Sequence, residues 1–392
     1  MYSVLIPLAS HIHSRDFISS ILDSIPQLEN IKILDIAFSD NIDLNDFDVV
    51  CLLIVTGGVS RIAYNIIKRG GDRKFIILSH GMHNSLPSSL SLINRLKIDG
   101  KYNYIHIHSI DLNQLLNVLK LIDDTLSVVN CLKVLKIIVI AKDIDAWRSY
   151  QKIFGGEIIH ADLKKFRKYY EDASGECNII FDIDKSIDNK SVQSICKLYN
   201  AFKLLMEQFE AEVIAVDCFD LIEEYKVTPC YPLSLLNGID NKIAICEADP
   251  TVLPIMLLSK KIFGDPGWIG NISNIGNHWI KLVHCTISPS FGKNLTLTSH
   301  FETGLPAAVR GDIQFGVYSL SALSKDLGKV ATYRVKVIGG SRSEHECRTQ
   351  VYLKLMRNKV EFEPINNHHV LTPSMGEALR LLSFLLGLEY LG

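Results

Sequence analysis

Short runs of consecutive apolar residues alternate with helix-like segments in the first third of the chain. Runs at 3–9, 32–38, 49–58 and 74–81 each end in glycine or are directly followed by a polar residue. Strands that are buried on both faces of a parallel sheet have such uninterrupted apolar sequences. The pattern predicts a parallel α/β domain over residues 1–125, in which a ligand would bind at the carboxyl ends of the strands.

The pattern of apolar and polar residues changes twice after this region. Apolar runs at 132–142 and 211–220 enclose an amphipathic helical period at 189–209, which predicts a second parallel α/β domain over residues 126–225. From residue 226 onward, short strand-like pieces separated by turns dominate. The predicted fold class is therefore α/β: two Rossmann-like domains followed by a β-rich, barrel-like α+β domain over residues 226–392.

Composition narrows the class of protein. Of the 392 residues, 47% are hydrophobic and 21% are charged, which is a normal balance for a globular protein with large cores. The 41 basic and 43 acidic residues give a net charge of −2, so we expect no nucleic-acid partner that depends on a strongly basic surface. No apolar run is long enough for a membrane span, and the first residues do not have the pattern of a signal peptide.

The cysteines predict the compartment. The nine cysteines include no CxxC pair and are odd in number. This usage favours reduced, mostly buried thiols over a disulfide framework. We therefore expect a cytoplasmic protein.

Polar residues that can bind a metal follow several buried runs in the third region. Glu247 and Asp249 come directly after the run at 243–246, His284 ends another run, and His368 and His369 precede a third. Carboxylates and imidazoles together bind divalent ions such as Mn²⁺ or Zn²⁺. Taken singly, such an acid is more often a helix cap and such a histidine a solvated residue, so spacing alone leaves both interpretations open.

Several ordered motifs of this region are similar to those of a known group of enzymes. The segments "CYPLSLLN", "CEADPTVLPIMLL", "GWIGN", "HCTISP", "HFETG", "CRTQVYLKL" and "NNHHVLTPSMGEALRLLSFLLGLE" occur in this order between residues 228 and 389. They resemble the C-terminal part of the L-fucose isomerase and L-arabinose isomerase superfamily, in particular its shorter fucose-isomerase-like members. "VTGGVSRI" and "SHGMHNSLPSS" resemble the first domain of the same group.

The resemblance implies a metal-dependent aldose–ketose isomerase that acts on a pentose or deoxyhexose through a cis-enediol. It implies a divalent cofactor, most often Mn²⁺, which acts as a Lewis acid while a protein acid/base pair moves a proton. Glu247 corresponds to the family's metal-binding and catalytic glutamate, and His284 to a metal histidine. His368 corresponds to the C-terminal metal histidine, with His369 as the competing assignment because the two histidines are consecutive.

One position departs from the family pattern. The second metal carboxylate corresponds to Asn271, the residue at which we expect its strand to end. Asn271 can ligate through its carbonyl oxygen but cannot transfer a proton. Asp249, two residues after Glu247, and Asp265, in a predicted turn, are the alternative catalytic carboxylates. If neither residue restores the missing charge, the resemblance points to a non-catalytic sugar-binding or regulatory protein, or to a related enediol enzyme such as an epimerase or lyase.

The resemblance also implies how the substrate is held. Relatives are homo-oligomers, trimers or hexamers, with active sites at subunit contacts. The expected substrate-binding residues are His80, Asn84 and Ser85 from the first domain and His300 and Arg348 from the third.

Overall fold

The computed structural model describes residues 1–356, 362 and 364–392. These residues divide into two compact units, Met1–Asn130 and Cys131–Gly392. No described helix is long and apolar enough to cross a membrane.

The first unit is built on a five-stranded parallel sheet with the strand order β2-β1-β3-β4-β5. Its apolar runs are buried: every residue of β1 and β3 lies in the interior. Its strands are β1 (Ser3–Leu8), β2 (Ile31–Ile33), β3 (Val49–Ile54), β4 (Lys74–His80) and β5 (Asn103–Ser109). Its helices are α1 (Arg15–Ser24), α2 (Ser60–Gly70), α3 (Ser85–Asp99) and α4 (Leu112–Leu132).

The second unit begins with a four-stranded parallel sheet of order β10-β9-β6-β7. Its strands are β6 (Lys136–Ile140), β7 (Glu157–His160), β9 (Val213–Val216) and β10 (Ile243–Cys246), and a two-residue strand, β8 (Asp182–Ile183), belongs to another sheet. The helices of this part are α5 (Asp145–Phe154), α6 (Leu163–Asp172), α7 (Asn189–Phe209), α8 (Cys218–Tyr225), α9 (Cys230–Gly238) and α10 (Leu253–Phe263), with a 3₁₀ turn at Pro250–Val252.

The rest of the second unit contains a closed antiparallel barrel. Six strands follow one another in the order β15-β18-β11-β12-β17-β16, and pairing of β15 with β16 closes the ring. The remaining elements are β11 (Trp268–Ile275), β12 (Trp279–His284), β13 (Lys293–Ser299), β14 (Pro306–Asp312), β15 (Val317–Leu323), β16 (Lys329–Gly340), β17 (Thr349–Leu355), β18 (His368–Pro373), α11 (Gly376–Leu386) and β19 (Glu389–Leu391). Strands β14, β13 and β8 form a small separate sheet, and β19 pairs with β16.

The predicted α/β class is confirmed in its broad form, with parallel sheets followed by an antiparallel barrel. The three proposed domains stay a prediction. Strand β10, which we placed in the third domain, pairs in parallel with β9 and so completes the second parallel sheet. One apolar core runs from this sheet, at Ile138 and Ile214, to the barrel strands, at Leu282 and Leu371.

Two local expectations were wrong. Cys177 and Cys196 form a disulfide, although the sequence favoured reduced thiols throughout. The two cysteines are 19 residues apart in the sequence, so no short spacing motif indicated that they pair. The loop before α7 brings them together. Asn271 does not end its strand: β11 continues to Ile275, with a bulge after Ile272.

The start of β11 supplies a test of close packing. Gly264 and Gly267 both have left-handed backbone, with φ of +75° and +83°. A Cβ at Gly267 would lie 2.7 Å from the Leu371 carbonyl oxygen, whereas one at Gly264 would meet nothing within 4 Å. Gly264→Ala should therefore lower the free energy of unfolding by about 1 kcal/mol, and Gly267→Ala by about 2 kcal/mol more.

Denaturant titrations followed by tryptophan fluorescence measure this difference. Trp147, Trp268 and Trp279 are the only tryptophans of the chain and all lie in the second unit, so the signal reports that unit alone. Equal losses in the two variants would contradict the close approach of Gly267 to β18.

Candidate metal centre

Three neighbouring barrel strands place polar side chains at one level. His368, the first residue of β18, is the ladder partner of Asn271 in the middle of β11. Asn271 is in turn the partner of Val283 in β12, and His284 follows Val283 as the last residue of that strand. The pairing register of the barrel thus brings together residues that are about 100 positions apart in the sequence.

The parallel sheet adds a carboxylate. Strand β10 ends at Cys246, and Glu247 and Ala248 then adopt left-handed backbone with φ of 57° and 44°. Left-handed backbone is costly for residues other than glycine, so other contacts must hold this turn. The indole nitrogen of Trp147 donates to the Ala248 carbonyl at 2.7 Å, and the Ala248 N–H donates to Val216 of β9 at 2.9 Å.

The four side chains converge. Ligand atoms of Glu247, His284 and His368 all lie within 4.8 Å of one another, the only such group of three or more His, Cys, Asp or Glu residues in the described part of the chain. His368 Nε2 is 3.2 Å from Glu247 Oε2, and His284 Nε2 is 3.8 Å from Glu247 Oε1. Asn271 Nδ2 donates to Glu247 Oε1 at 3.4 Å.

Several polar atoms here have no well-directed hydrogen bond within the described residues. They are Nε2 of His284, Nε2 of His368 and Oδ1 of Asn271, and both histidines are at most 3% exposed. Buried polar atoms are rarely left in this state, because the loss of water is not repaid. One carboxylate, two imidazoles and an amide oxygen are suitable donors for a divalent cation, so the residues fit a metal ion.

Asp249 lies behind His368. Its Oδ2 is 2.6 Å from His368 Nδ1, and its Oδ1 accepts from the backbone N–H of Thr251 at 2.9 Å and from the Thr251 hydroxyl at 2.7 Å. A carboxylate in this position holds the proton on Nδ1 and leaves Nε2 for a metal. With these contacts Asp249 orients His368, and its role in proton transfer stays a prediction.

The two predicted candidates at the C-terminus are separated by geometry. His368 belongs to the ligand group, whereas His369, the next residue in the strand, has its ring 5.5 Å from that of Phe362. Burial lowers the pKa of His369 to about 4, so it is a neutral core residue.

The charges of the site are strongly coupled. Burial alone would raise the pKa of Glu247, but the close contact with His368 and the charges of His284 and His368 lower it to about 2. Burial alone would lower the pKa of His368, but Asp249 and Glu247 raise it to about 9. Without a cation, a protonated His368 therefore lies between two carboxylates, and a cation at Nε2 must displace its proton.

His284 differs from His368 in its second nitrogen. The backbone N–H of Cys285 donates to His284 Nδ1 at 2.9 Å, which places the proton of the neutral ring on Nε2. Burial lowers the pKa of His284, so the ring is neutral. Coordination through Nε2 requires this proton to leave and the contact with Cys285 to open.

A cavity of about 300 Å³ adjoins the ligand group. Glu247, Asn271 and His284 line it, and His300 and Glu302 add further polar groups. His300, predicted near the substrate, thus lies in the cavity wall.

Arg348 is not among the lining residues: its Nε donates to the Ser299 carbonyl at 2.7 Å, which holds the end of β13. Five cysteines of the wall were not predicted. Only two of them had a signal in the sequence, Cys246 next to Glu247 and Cys285 next to His284. The five are Cys218, Cys230, Cys246, Cys285 and Cys347.

The predicted substrate residues of the first unit form a local group of their own. Ser85, at the start of α3, donates to the Ile54 carbonyl and accepts from the N–H of His80 at 3.0 Å. Asn84 precedes the helix with left-handed backbone, φ 57°. His80 is fully buried at the carboxyl end of β4. Their participation in substrate binding stays a prediction.

Comparison with known proteins adds no assignment. No protein-family model matches the chain, and no curated protein matches it. The chain is thus defined by its fold and its site: an α/β protein with an antiparallel barrel, in which Glu247, His284 and His368 form a possible metal-ligand group.

Titration of His368 should be visible in the stability of the metal-free protein. Its folded pKa of about 9 exceeds the ordinary value of 6.5, so its contribution is complete below pH 6.5 and is lost as the pH rises to about 9. We expect the free energy of unfolding to fall by on the order of 2 kcal/mol over this window. Denaturant titrations with a chelator present measure it. In His368→Gln the fall should be absent, and an equal fall in both proteins would contradict the charge arrangement.

The Asp249–His368 contact should control cation affinity. Asp249→Asn keeps an oxygen for the Thr251 N–H but replaces the charged acceptor of His368 Nδ1–H, so Mn²⁺ affinity should fall about 10- to 100-fold. Isothermal titration calorimetry measures this loss. Asp326→Asn is the matched control, because Asp326 bonds within its own turn at 324–328. Unchanged affinity in Asp249→Asn would show that Asp249 does not orient a ligand.

Proposed function

We propose that this protein is a metal-dependent aldose–ketose isomerase of the fucose and arabinose isomerase type. The observation that carries the proposal is the convergence of Glu247, His284 and His368 beside a cavity. These are three of the four residues that the family resemblance assigns to the metal, the fourth being Asn271. The parallel sheets and the antiparallel barrel agree with the α/β fold class predicted from the apolar pattern.

The proposed cofactor is Mn²⁺, held by Glu247, His284, His368 and the carbonyl oxygen of Asn271. When bound, the ion would supply Lewis acidity to the carbonyl and neighbouring hydroxyl of an open-chain sugar. Asn271 fits this set because its Oδ1 is buried without a hydrogen bond in the described residues, while its Nδ2 faces Glu247.

The residues of the chain have distinct tasks in this proposal. Glu247 is ionised at neutral pH, since its pKa is lowered to about 2, and an ionised carboxylate is the form that accepts the C2 proton. Asp249 fixes the orientation of His368. Asp249 does not line the cavity, whereas His300 and Glu302 do, and one of these two residues would return or relay the proton.

The walls exclude water on one side. Thiol and apolar side chains, among them Phe219, Ile222 and Phe301, make up much of the lining. Such a surface strengthens the charge interactions at the metal. It suits a small sugar of the pentose or deoxyhexose class, with one polar end at the ligand group. We further propose that the protein is cytoplasmic and a homo-oligomer, trimer or hexamer, with sites at subunit contacts.

One observation favours a second candidate. Asn271 contributes an amide where the isomerases have a carboxylate, and it donates to Glu247 instead of offering a second negative charge. A site with a single carboxylate ligand retains sugar binding more readily than proton shuttling. The alternative is therefore a non-catalytic sugar-binding or regulatory protein, or a related one-carboxylate enediol enzyme such as an epimerase or lyase.

Incubation of the Mn²⁺-loaded protein with aldopentoses and 6-deoxyhexoses in D₂O separates these functions. Isomerisation gives the ketose with deuterium at C1 and, on reversal, the aldose with deuterium at C2, whereas an epimerase gives the C2 epimer, a lyase gives shorter fragments and a binding protein gives none of these. NMR spectroscopy detects each product. Glu247→Gln should remove turnover, because the amide cannot accept a proton. Glu207→Gln, an exposed position on α7, is the matched control.

Two results would contradict the proposed isomerase function. If the protein binds Mn²⁺ but a complete sugar panel shows neither ketose nor exchange at C2, isomerase activity is excluded. If Glu247→Gln retains full turnover, Glu247 is not the base.

A further inference from the structure

Two thiols of the cavity wall lie directly against the metal-ligand turn. The sulfur atoms of Cys218 and Cys246 are 2.7 Å apart. Cys246 is the last residue of β10, and Cys218 is the first residue of α8, just after the neighbouring strand β9. The ladder partner of Cys246 is Val216, two residues before Cys218, so the sheet itself sets this proximity.

The pair is joined to Glu247 in two ways. Cys246 precedes Glu247 in the chain, and the backbone N–H of Glu247 donates to the sulfur of Cys218 at 3.5 Å. The turn that carries the Glu247 carboxylate therefore contacts the thiol of Cys218 and directly follows Cys246 in the chain. Any change in the bond between the two sulfurs acts on this turn.

We propose that Cys218 and Cys246 are an oxidisable dithiol, a modification site whose disulfide form weakens cation binding at Glu247. The effect on binding rests on the proposed metal centre, whereas formation of the disulfide does not depend on it. Both thiols line the cavity but are only 5% and 4% exposed, so the oxidant must be small enough to enter. A low-molecular-mass peroxide meets this requirement.

The reaction balances with hydrogen peroxide. One sulfur attacks a peroxide oxygen, the O–O bond breaks, and a sulfenic acid and one water form. The second sulfur then displaces the hydroxyl group, which leaves as a second water, and the S–S bond forms. In total, two thiols lose two protons and two electrons, and the peroxide is reduced to two molecules of water.

The disulfide alters the ligand turn for a geometric reason. A covalent bond between α8 and the end of β10 restricts the side chain and backbone of Cys246. Glu247 follows with left-handed backbone, and its carboxylate must stay within a few ångströms of two buried histidines. Displacement of a group that supports a metal ligand commonly costs 10- to 100-fold in affinity, so we expect a loss of about tenfold.

The positions of the other cysteines show which thiols could compete with the Cys218–Cys246 pair. Cys177 and Cys196 are already joined, and Cys51 lies in the first unit. Cys230 and Cys285 pack together in a small cluster with Cys347 at its edge, and these thiols are the competing partners in the cavity wall.

The test uses the full chain, freed of metal and treated with one equivalent of hydrogen peroxide. Remaining thiols are alkylated, and peptide mass spectrometry identifies linked cysteines. We expect a Cys218–Cys246 link, a Kd for Mn²⁺ raised about tenfold in calorimetry, and recovery after treatment with a phosphine reductant. Cys218→Ala should abolish the link and the change in Kd, whereas Cys347→Ser, the matched control, should retain both.

Contrary results are distinct. Alkylation of both Cys218 and Cys246 after oxidation, or a link between other cavity thiols, overturns the assignment. A Cys218–Cys246 link with an unchanged Kd overturns its effect on the cation. If the reduced protein binds no Mn²⁺, the proposed metal centre and the effect on it are wrong, and the linked peptide alone decides whether the dithiol exists. The comparison of oxidised and reduced wild-type protein needs no variant to fold.

Discussion

The site depends on a chain of close charged contacts that runs from Asp249 through His368 to Glu247. His368 has a carboxylate at each ring nitrogen, at 2.6 Å and 3.2 Å, and is 3% exposed. In such a buried setting each charge is stabilised only by the others, because water cannot screen or solvate it. Loss of one member would leave the remaining charges uncompensated, so the three residues act as one unit.

Neutral hydrogen bonds connect this unit to both parts of the second compact unit. Asp249 accepts from Thr251, whose hydroxyl also accepts from the buried amide of Asn366 at 2.8 Å. Asn366 Nδ2 also donates to the Leu323 carbonyl of β15 at 3.0 Å. The turn after β10 is thereby tied to strand β15 and to the segment just before β18. Polar networks that are fully satisfied in this way define one arrangement of a core, since alternatives leave groups unpaired.

The turn after β10 is held rigidly and lies beside two thiols. Trp147 and Val216 hold the left-handed turn at Ala248 by hydrogen bonds, and two thiols lie beneath it. Backbone strain of this kind persists only where the surroundings determine it, and it is commonly found at ligand sites. The cavity thus has a charged end, where a cation is expected, and a wall of thiol and apolar groups, where a substrate would lose water.

The amino-acid sequence alone determined the period and burial of the elements. The uninterrupted apolar runs of β1 and β3 predicted strands buried on both faces, and they are. It also marked Glu247, His284 and His368 as polar residues at the ends of apolar runs. Only the tertiary structure decided that these ends meet, that Asn271 lies beside His368, and that Asp249 stands behind it. It also placed β10 in the parallel sheet and joined Cys177 to Cys196. The reason is physical: local pattern reports which face of an element is buried, whereas strand register and the contacts between residues a hundred positions apart arise only when the elements pack together.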